Sequence, residues 1–293
     1  MSFRNYRETD YPALCDFLVA LNEPGREHIN WNWARLEWMI EHPEFDRSAS
    51  NAIGLWLDGE KIVGAAIYDM YFGEAFCAAL PPAEALFPAI LAYAYRELRD
   101  EAGLALAIGE GNLREIEAAR AAGFLPTEQT ETVMRRALPG GLSAALPEGF
   151  RLVELDHAVT EEVEALQWLF WRGFDHGDDR AEFEADLERT RRLGLRPRPH
   201  FDRRLSLAAL APDGEAAAYC CLWLRPDTDY AYVEPVCTAP EYRGKGLAKA
   251  LLFEAMGRAA ARGAKEAFVI SDMAFYEKLG FRKHSVYRFY RKA

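Results

Sequence analysis

A short turn with two glycines and two basic residues is the part of this sequence best suited to bind an anion. An apolar, strand-like run over 230–238 precedes the turn, and a run with helical periodicity over 247–262 follows it. The first amides of a helix have no partner within the helix, and the helix dipole adds partial positive charge there. Glycines leave the backbone open to a phosphate group. The residues predicted to bind the anion are Arg243, Gly244, Lys245, Gly246, Leu247 and Ala248.

Two common phosphate-binding motifs do not fit this turn. The nucleoside-triphosphatase loop, Gly-x-x-x-x-Gly-Lys-Ser/Thr, is absent, and the dinucleotide fingerprint needs a glycine where the chain has Lys249. The pattern Arg243-x-x-Gly246-x-Ala248, preceded by Thr-x-Pro-x-Tyr, instead resembles the acyl-CoA pyrophosphate loop of the GCN5-related N-acetyltransferases, the GNAT family. The segment 275–281 resembles the last helix and the following strand of that family. An ordinary strand-turn-helix corner with surface lysines is the alternative.

Several landmarks of the sequence occur twice in the same order, which predicts two copies of one domain. The pairs are Phe3-Arg4 with Phe150-Arg151, Asp58-Gly59 with Asp213-Gly214, and Gly123-Phe124 with Gly280-Phe281. Together with the resemblance, they imply an α/β fold in which two tandem GNAT-like α+β domains each contain a mixed sheet. A Pro- and Gly-rich linker at 140–149 separates a first domain over 1–139 from a second over 150–293.

The two predicted copies differ where a cofactor would bind. The first copy has Cys77-Ala-Ala-Leu-Pro-Pro-Ala83 in place of the turn, without a glycine or a basic side chain. Four residues before its Gly123 the first copy has Ala119, whereas four residues before Gly280 the second has Tyr276. We therefore expect a degenerate first domain with a structural or acceptor-shaping role and a catalytic second domain that binds acetyl-CoA.

The resemblance assigns roles to residues around the turn. The pantetheine arm is expected to pair with the backbone of Val236, Cys237 and Thr238, and an amide near Val236 or Cys237 to stabilise the oxyanion. Tyr276 matches the general acid of the family, and a phenol holds a proton at neutral pH that it can donate to the leaving thiolate. A tyrosine that only packs at a helix end is the alternative. Pro235 cannot donate a ladder hydrogen bond and predicts an edge or a bulge at that point of the strand.

The general base has more than one candidate. Glu234 would share a strand face with residues 236 and 238, and its carboxylate would point toward the acetyl group. An ion pair with an arginine and a water-relayed base are the alternatives. Cys237 as a covalent nucleophile is disfavoured, because its side chain would lie on the opposite face of the strand.

Three further clusters have a plain and a functional interpretation. The acidic cluster of Asp175, His176, Asp178 and Asp179 could attract an ammonium group, but a solvated loop is favoured. The segment Arg196-Pro-Arg-Pro-His200 is interpreted first as a loop. The tryptophan-rich helix expected over 31–39 and closed near His42-Pro43 could hold a ligand, but core or an interdomain contact is favoured.

Composition limits the classes of partner. The net charge of −11 argues against a nucleic-acid partner and is compatible with a cationic acceptor. No apolar leader or membrane-length segment is visible, and the five cysteines have no metal-like spacing, so no metal is expected. A reducing cytoplasm is the simple inference. Nothing in the sequence assigns the oligomeric state.

The function that these observations predict is acetyl-CoA-dependent N-acetyl transfer to a primary amine of a small molecule or a peptide. Two alternatives stay open at this point. A non-catalytic acyl-CoA sensor or scaffold would keep the anion-binding turn without turnover. Nucleotide-phosphate binding by an unrelated fold would use the same turn for another ligand. The sequence does not identify the amine.

Overall fold

The computed structural model describes residues 1–293 except 24, 27, 41, 43, 44, 46, 157–159 and 194–198. The side chains of 160, 161, 163 and 189–193 are also outside the description. The chain divides into two compact units. The first comprises Met1–Met134, Ile270–Asp272 and Lys283–Ala293, and the second comprises Arg135–Val269 and Met273–Arg282.

The first unit is a mixed sheet with helices packed against it. Its strands are β1 (Ser2–Asn5), β2 (Gly54–Asp58), β3 (Lys61–Asp69), β4 (Tyr71–Ala79), β5 (Leu104–Gly109) and most of β6 (Leu125–Ala137). Its helices are α1 (Tyr11–Leu21), α2 (Trp33–Ile40), α3 (Phe87–Glu97) and α4 (Leu113–Ala121). Neighbouring strands from β1 to β4 pair antiparallel, whereas β4 and β5 pair parallel.

The second unit repeats this order of elements. Its strands are β7 (Arg151–Glu154), β8 (Ser206–Leu210), β9 (Ala216–Trp223), β10 (Tyr230–Thr238) and β11 (Glu266–Ile270). Its helices are α5 (Thr160–Gly173), α6 (Arg180–Leu193), α7 (Leu247–Ala261) and α8 (Ala274–Lys278). The strands from β7 to β10 pair antiparallel, and β10 pairs parallel with β11. The repeated landmarks of the sequence therefore occupy equivalent turns and strand starts.

The last strand of the chain, β12 (Arg282–Lys292), lies in the first unit. It pairs antiparallel with β5, from Tyr287 opposite Gly109 to Lys292 opposite Leu104. The end of β6 lies instead in the second unit, where the Leu138 amide donates to the Lys265 carbonyl at 2.8 Å. The units are thus discontinuous in sequence, whereas the linker at 140–149 predicts contiguous halves. The reason is that a strand pairs with whichever sheet edge satisfies its hydrogen bonds, regardless of sequence distance.

The tryptophan-rich segment is buried, in agreement with its interpretation as core. Trp31 is 3 % exposed and Trp33 is fully buried. The helix begins at Trp33 rather than at Trp31, because Oδ1 of Asn32 accepts hydrogen bonds from the Ala34 and Arg35 amides and caps it. Trp31, before the helix, stacks on Phe76 with ring centroids 3.8 Å apart. The expected end at Pro43 lies outside the described residues.

Within the described residues, no helix combines the length and the apolar character that crossing a membrane requires.

Candidate functional site

The turn after β10 presents a row of backbone amides. Gly244 and Gly246 have φ angles of 77° and 85°, which glycine adopts without strain, and Gly246 is the N-cap of α7. In the described part of the chain, the amides of 244–249 have no hydrogen-bond acceptor. No atom beyond the adjoining residues lies within 4 Å of the point where a Cβ would stand at either glycine. The row of amides is therefore open to an anion.

An open cavity of about 710 Å³ adjoins this row of amides. The basic residues that line the cavity are Arg136, Lys245, Lys249 and Lys278, and no Asp or Glu is among its lining residues in the described chain. The Phe253 ring lies beneath two of the cations, 4.7 Å from the Arg136 guanidinium and 5.9 Å from Lys249 Nζ. In a chain of net charge −11, this cluster is a local concentration of positive charge that suits a polyanion.

Arg243 holds the turn in place through its side chain. Its Nη2 donates to the carbonyl of Gly173 at 3.0 Å and to the carboxylate of Asp175 at 2.8 Å, and its Nε donates to the carbonyl of Thr238 at 3.2 Å. Its own amide is already bonded to the Pro240 carbonyl at 3.2 Å. The open row of amides consequently begins at Gly244, one residue later than the sequence pattern predicts.

The acidic loop after α5 is engaged with neighbouring groups. Asp175 pairs with Arg243, and Asp178 pairs with Arg172 at 2.7 Å. Arg172 also contacts Glu241, at 2.7 Å, just before the turn. Oδ1 of Asp179 accepts the Ala181 amide at 2.8 Å at the start of α6. Asp175 braces the turn, and Asp178 and Asp179 are engaged by α5 and α6, which favours the plain interpretation over attraction of an ammonium group. Residues 196–198 of the other candidate loop lie outside the described residues.

A bulge interrupts β10 at Glu234 and Pro235. Val233 lies opposite Leu222 and Val236 opposite Cys220, so β10 has one residue more than β9 between these pairs. The peptide bond between Glu234 and Pro235 is cis. The indole Nε1 of Trp223 donates to the Glu234 carbonyl at 2.7 Å, which fastens the bulge. The bulge expected from Pro235 is therefore present.

The end of β10 is open toward β11. The parallel pairing runs only from Tyr230–Glu266 to Tyr232–Phe268. Beyond this point residues 234, 236 and 238 are half-buried, whereas 235 and 237 are buried. Glu234, Val236 and Thr238 therefore share the more accessible face of the strand.

Tyr276 lies on α8 with its ring buried, at 7 % exposure, between Phe275 and Phe281. Burial raises the pKa of its hydroxyl above the ordinary value, and the charges of Cys220 and Glu234 raise it further. Cys220 lies opposite Val236 in the sheet. Glu234 and Cys220 are thus both within electrostatic range of the Tyr276 hydroxyl.

Cys237 is buried and packs against the end of α5, where a Cβ at Gly173 would lie 2.9 Å from the Cys237 Cβ. Burial raises the pKa of its thiol to about 12. A thiol that stays protonated at neutral pH is a poor nucleophile, so only the backbone of Cys237 remains a candidate for the site.

The first unit differs from the second at the positions equivalent to the turn and to Tyr276. After β4 the chain enters a short 3-10 helix at Pro81, whose first two residues are prolines without an N–H group. The Ala83 amide is bonded to the Leu80 carbonyl at 2.7 Å. Ala119, at the position equivalent to Tyr276, is fully buried.

Sequence reasoning missed three parts of the site. These are Arg136, Lys278 and the linker residues Ser143, Ala144, Ala145 and Pro147, all of which line the cavity. The charge of Lys278, two residues after Tyr276, was a usable signal. Arg136 offered none, because it lies at the end of a strand far from the turn in sequence.

Comparison with known proteins gives one sequence match and several structural matches. Residues 162–281 match the profile of the Acetyltransferase (GNAT) family. This matched segment includes both the turn and Tyr276. The chain has no significant sequence match among curated proteins.

Similar solved structures extend over nearly the whole chain. A tandem GNAT protein from the clavulanic acid biosynthesis pathway is 16 % identical, with a TM-score of 0.64 over 99 % of this chain and 98 % of that one. A GCN5-related N-acetyltransferase from Sphaerobacter thermophilus is 17 % identical, with a TM-score of 0.58 over 99 % and 95 %. N-myristoyltransferase from Saccharomyces cerevisiae with bound myristoyl-CoA is 14 % identical, with a TM-score of 0.55 over 99 % and 77 %. The fold is therefore the tandem one expected from the repeats.

Proposed function

The chain carries a domain of the GNAT acetyltransferase family over residues 162–281, and from this premise we propose that it is an acetyl-CoA-dependent N-acetyltransferase. The acceptor is a primary amine of a small molecule or a peptide. The observation that carries the proposal is the row of amides at 244–249, which have no acceptor among the described residues and lie beside a cavity lined by four basic side chains. Acetyl-CoA matches this row through the diphosphate of its coenzyme A part, and its acetyl thioester supplies the carbonyl that an amine can attack.

The residues around the bulge have separate roles in the proposed acetyl transfer. Glu234, directly or through a water molecule, accepts the proton that the amine loses as its nitrogen bonds to the carbonyl carbon. An amide near Val236 or Cys237 donates to the oxyanion. Tyr276 donates its proton to the sulfur as the carbon–sulfur bond breaks. Its raised pKa keeps that proton in place until the thiolate forms.

The open end of β10 suits the pantetheine arm. The backbone of Val236, Cys237 and Thr238 extends past the last residues paired with β11, so its groups on that side can bond an extended ligand as a neighbouring strand would. The bulge at Pro235 supports this assignment, because bulges end strand pairing next to binding sites.

The first unit, in this proposal, has a structural or acceptor-shaping role. Its prolines at 81 and 82 and its fully buried Ala119 provide neither the amides nor the phenol that the second unit has.

Calorimetry with coenzyme A, followed by thiol release from acetyl-CoA with a panel of amines, tests the proposal. We expect saturable binding and turnover with at least one amine. Absence of binding would reject the assignment altogether. Binding without turnover on any amine of the panel would favour the acyl-CoA sensor or scaffold.

A further inference from the structure

The cavity beside the turn holds more positive charge than a diphosphate at the amides requires. Lys245 and Lys249 belong to the turn and to the first part of α7, next to the row of amides. Arg136 and Lys278 come from two other elements, the end of β6 and the end of α8. Both line the same cavity, with no carboxylate among its lining residues in the described chain.

Arg136 is held in the cavity wall without an anionic partner. Its Nε is buried and has no hydrogen-bond acceptor in the described structure, and its guanidinium lies over the Phe253 ring. A buried charged donor without an acceptor is costly. An anionic ligand in this cavity would offset that cost.

Gly280 makes room for this guanidinium. A Cβ at Gly280 would lie 2.8 Å from Nη1 of Arg136, closer than side-chain carbons approach. The observed position of the Arg136 guanidinium therefore requires that residue 280, two residues after the end of α8, has no side chain.

The linker between the repeated sequences forms another part of the wall. Ser143, Ala144, Ala145 and Pro147 line the cavity. The preceding carbonyl, of Leu142, lies against α7 at Gly257, where a Cβ would be 2.4 Å from it. The linker thus packs against the helix that begins at the anion-binding turn, and only a glycine at 257 permits this close contact.

We propose that Arg136 and Lys278, with the linker behind them, bind the 3′-phosphate of coenzyme A and make the protein select coenzyme A over dephospho-coenzyme A. This inference rests on the proposed function. The turn amides and their two lysines bind the diphosphate, and the two remaining cations bind the 3′-phosphate, which carries nearly two negative charges at neutral pH. Arginine suits this task because its planar fork can donate two parallel hydrogen bonds to a phosphate.

Calorimetric titration of the full chain with coenzyme A and with dephospho-coenzyme A tests this inference. We expect coenzyme A to bind about tenfold more tightly or better, the value of one charge-assisted hydrogen bond. Arg136→Ala and Lys278→Ala should each weaken coenzyme A binding by about tenfold and leave dephospho-coenzyme A binding nearly unchanged. Gly257→Ala, which displaces the linker without removing a charge, should also reduce the preference.

Arg135→Ala is the matched control, because Arg135 precedes Arg136 on the same strand and pairs with Glu266 at 3.3 Å instead of lining the cavity. It should keep the full preference. Equal affinity of the wild type for both ligands, or equal weakening of both by Arg136→Ala, would overturn the inference while leaving the proposed function intact. If neither ligand binds, the proposed function itself fails. Should Arg136→Ala not fold, the wild-type ratio and Lys278→Ala decide.

Discussion

At the scale of single residues, burial sets the protonation state of Tyr276. The hydroxyl is in an apolar setting between Phe275 and Phe281, and the nearby charge of Glu234 further disfavours a phenolate. A proton donor with a raised pKa remains protonated across the pH range in which an amine acceptor becomes neutral. The rate should therefore rise with pH through amine deprotonation without an early loss of the acid.

Tyr276→Phe tests this role. Removal of the hydroxyl should lower kcat by roughly 100-fold and leave the affinity for coenzyme A unchanged, because the ring and its packing are kept. The measurement is thiol release under saturating acetyl-CoA, with calorimetry for binding. Tyr242→Phe is the control, since the Tyr242 ring contacts Lys245 rather than the bulge and keeps that contact. Full activity of Tyr276→Phe at every pH would remove Tyr276 from the mechanism.

Glu74 in the first unit is a second residue whose environment controls its charge. Burial, reinforced by Asp69, raises its pKa to about 7, while Arg35 opposes the shift. Arg35 pairs with Asp69 at 2.8 Å and with Glu131 at 3.0 Å. Its charge is thus largely compensated by these two carboxylates, which helps to explain why it does not keep Glu74 ionised.

The raised pKa of Glu74 makes the free energy of unfolding depend on pH. The folded protein holds the Glu74 proton up to about pH 7, while the unfolded chain releases it near the ordinary value of 4.5. The contribution of the Glu74 proton to the free energy of unfolding is therefore fully present below pH 4.5. It declines as the pH rises toward 7. Glu74→Gln should raise the free energy of unfolding by about 1–2 kcal/mol at pH 8, after allowance for partial exposure, and by little at pH 4.5.

Denaturant unfolding at the two pH values measures this difference. Glu128→Gln, at an exposed position of the same unit, serves as the control and should behave alike at both pH values. An equal effect of Glu74→Gln at pH 4.5 and pH 8 would contradict the expectation.

At the scale of elements, the site is the junction of β10, the turn and α7. The bulge lets β10 leave β11, and the two glycines with positive φ turn the chain so that the first amides of α7 stay open. Arg243 of the turn pairs with Asp175, just after α5, and Arg172 of α5 pairs with Glu241, just before the turn. The row of amides is therefore preorganised before a ligand arrives, which reduces the ordering cost of binding.

Gly246→Asp and Gly263→Asp form a matched pair at the two ends of α7. Both glycines have positive φ, 85° and 102°, and both have open space where a Cβ would stand. The two substitutions should therefore cost similar backbone strain, about 1–2 kcal/mol. Only Gly246→Asp places a carboxylate where the diphosphate is proposed to lie, so it should weaken coenzyme A binding by roughly 100-fold or more.

Thermal melts and calorimetry of both variants separate strain from repulsion. Similar Tm values with a loss of affinity in Gly246→Asp alone support the site at the turn. Wild-type affinity in Gly246→Asp would place the ligand elsewhere.

At the scale of the whole molecule, the exchange of strands makes the first unit dependent on the end of the chain. The C-terminal strand β12 supplies the antiparallel partner of β5. Lys292 donates to the Ala122 carbonyl at 2.8 Å, and Tyr95 donates to the Ala293 carbonyl at 2.6 Å. Without this strand, β5 would have an unpaired edge with apolar side chains on both sides.

A fragment of residues 1–139 should therefore not fold as a stable monomer. Joining residues 283–293 to it through a flexible linker should restore cooperative unfolding, because β5 regains its partner. Circular dichroism melts and sedimentation of both fragments provide the comparison. Two-state unfolding of the 1–139 fragment alone, as a monomer, would show that β12 is dispensable to the first unit.

Much of the candidate site follows from local sequence, because its parts are governed by backbone geometry over a few residues. Gly244 and Gly246 predict a turn with positive φ, Pro235 predicts a bulge, and the helical run after Gly246 predicts open amides. The role of Tyr276 follows from the family resemblance and that of Glu234 from the alternation of side chains along a strand, and both remain proposals. The tandem order of elements was also readable, since the same landmarks occur twice.

Only the tertiary structure decided which strand pairs with β5, where Arg136 lies and what Arg243 contacts. Each of these depends on groups that meet across long sequence distances: β12 with β5, Arg136 with Gly280, and Arg243 with Asp175. Local sequence fixes how the backbone turns and which side chains are apolar. It does not fix which of several compatible edges or charges become neighbours, because that choice is made by the hydrogen bonding and packing of the folded chain as a whole.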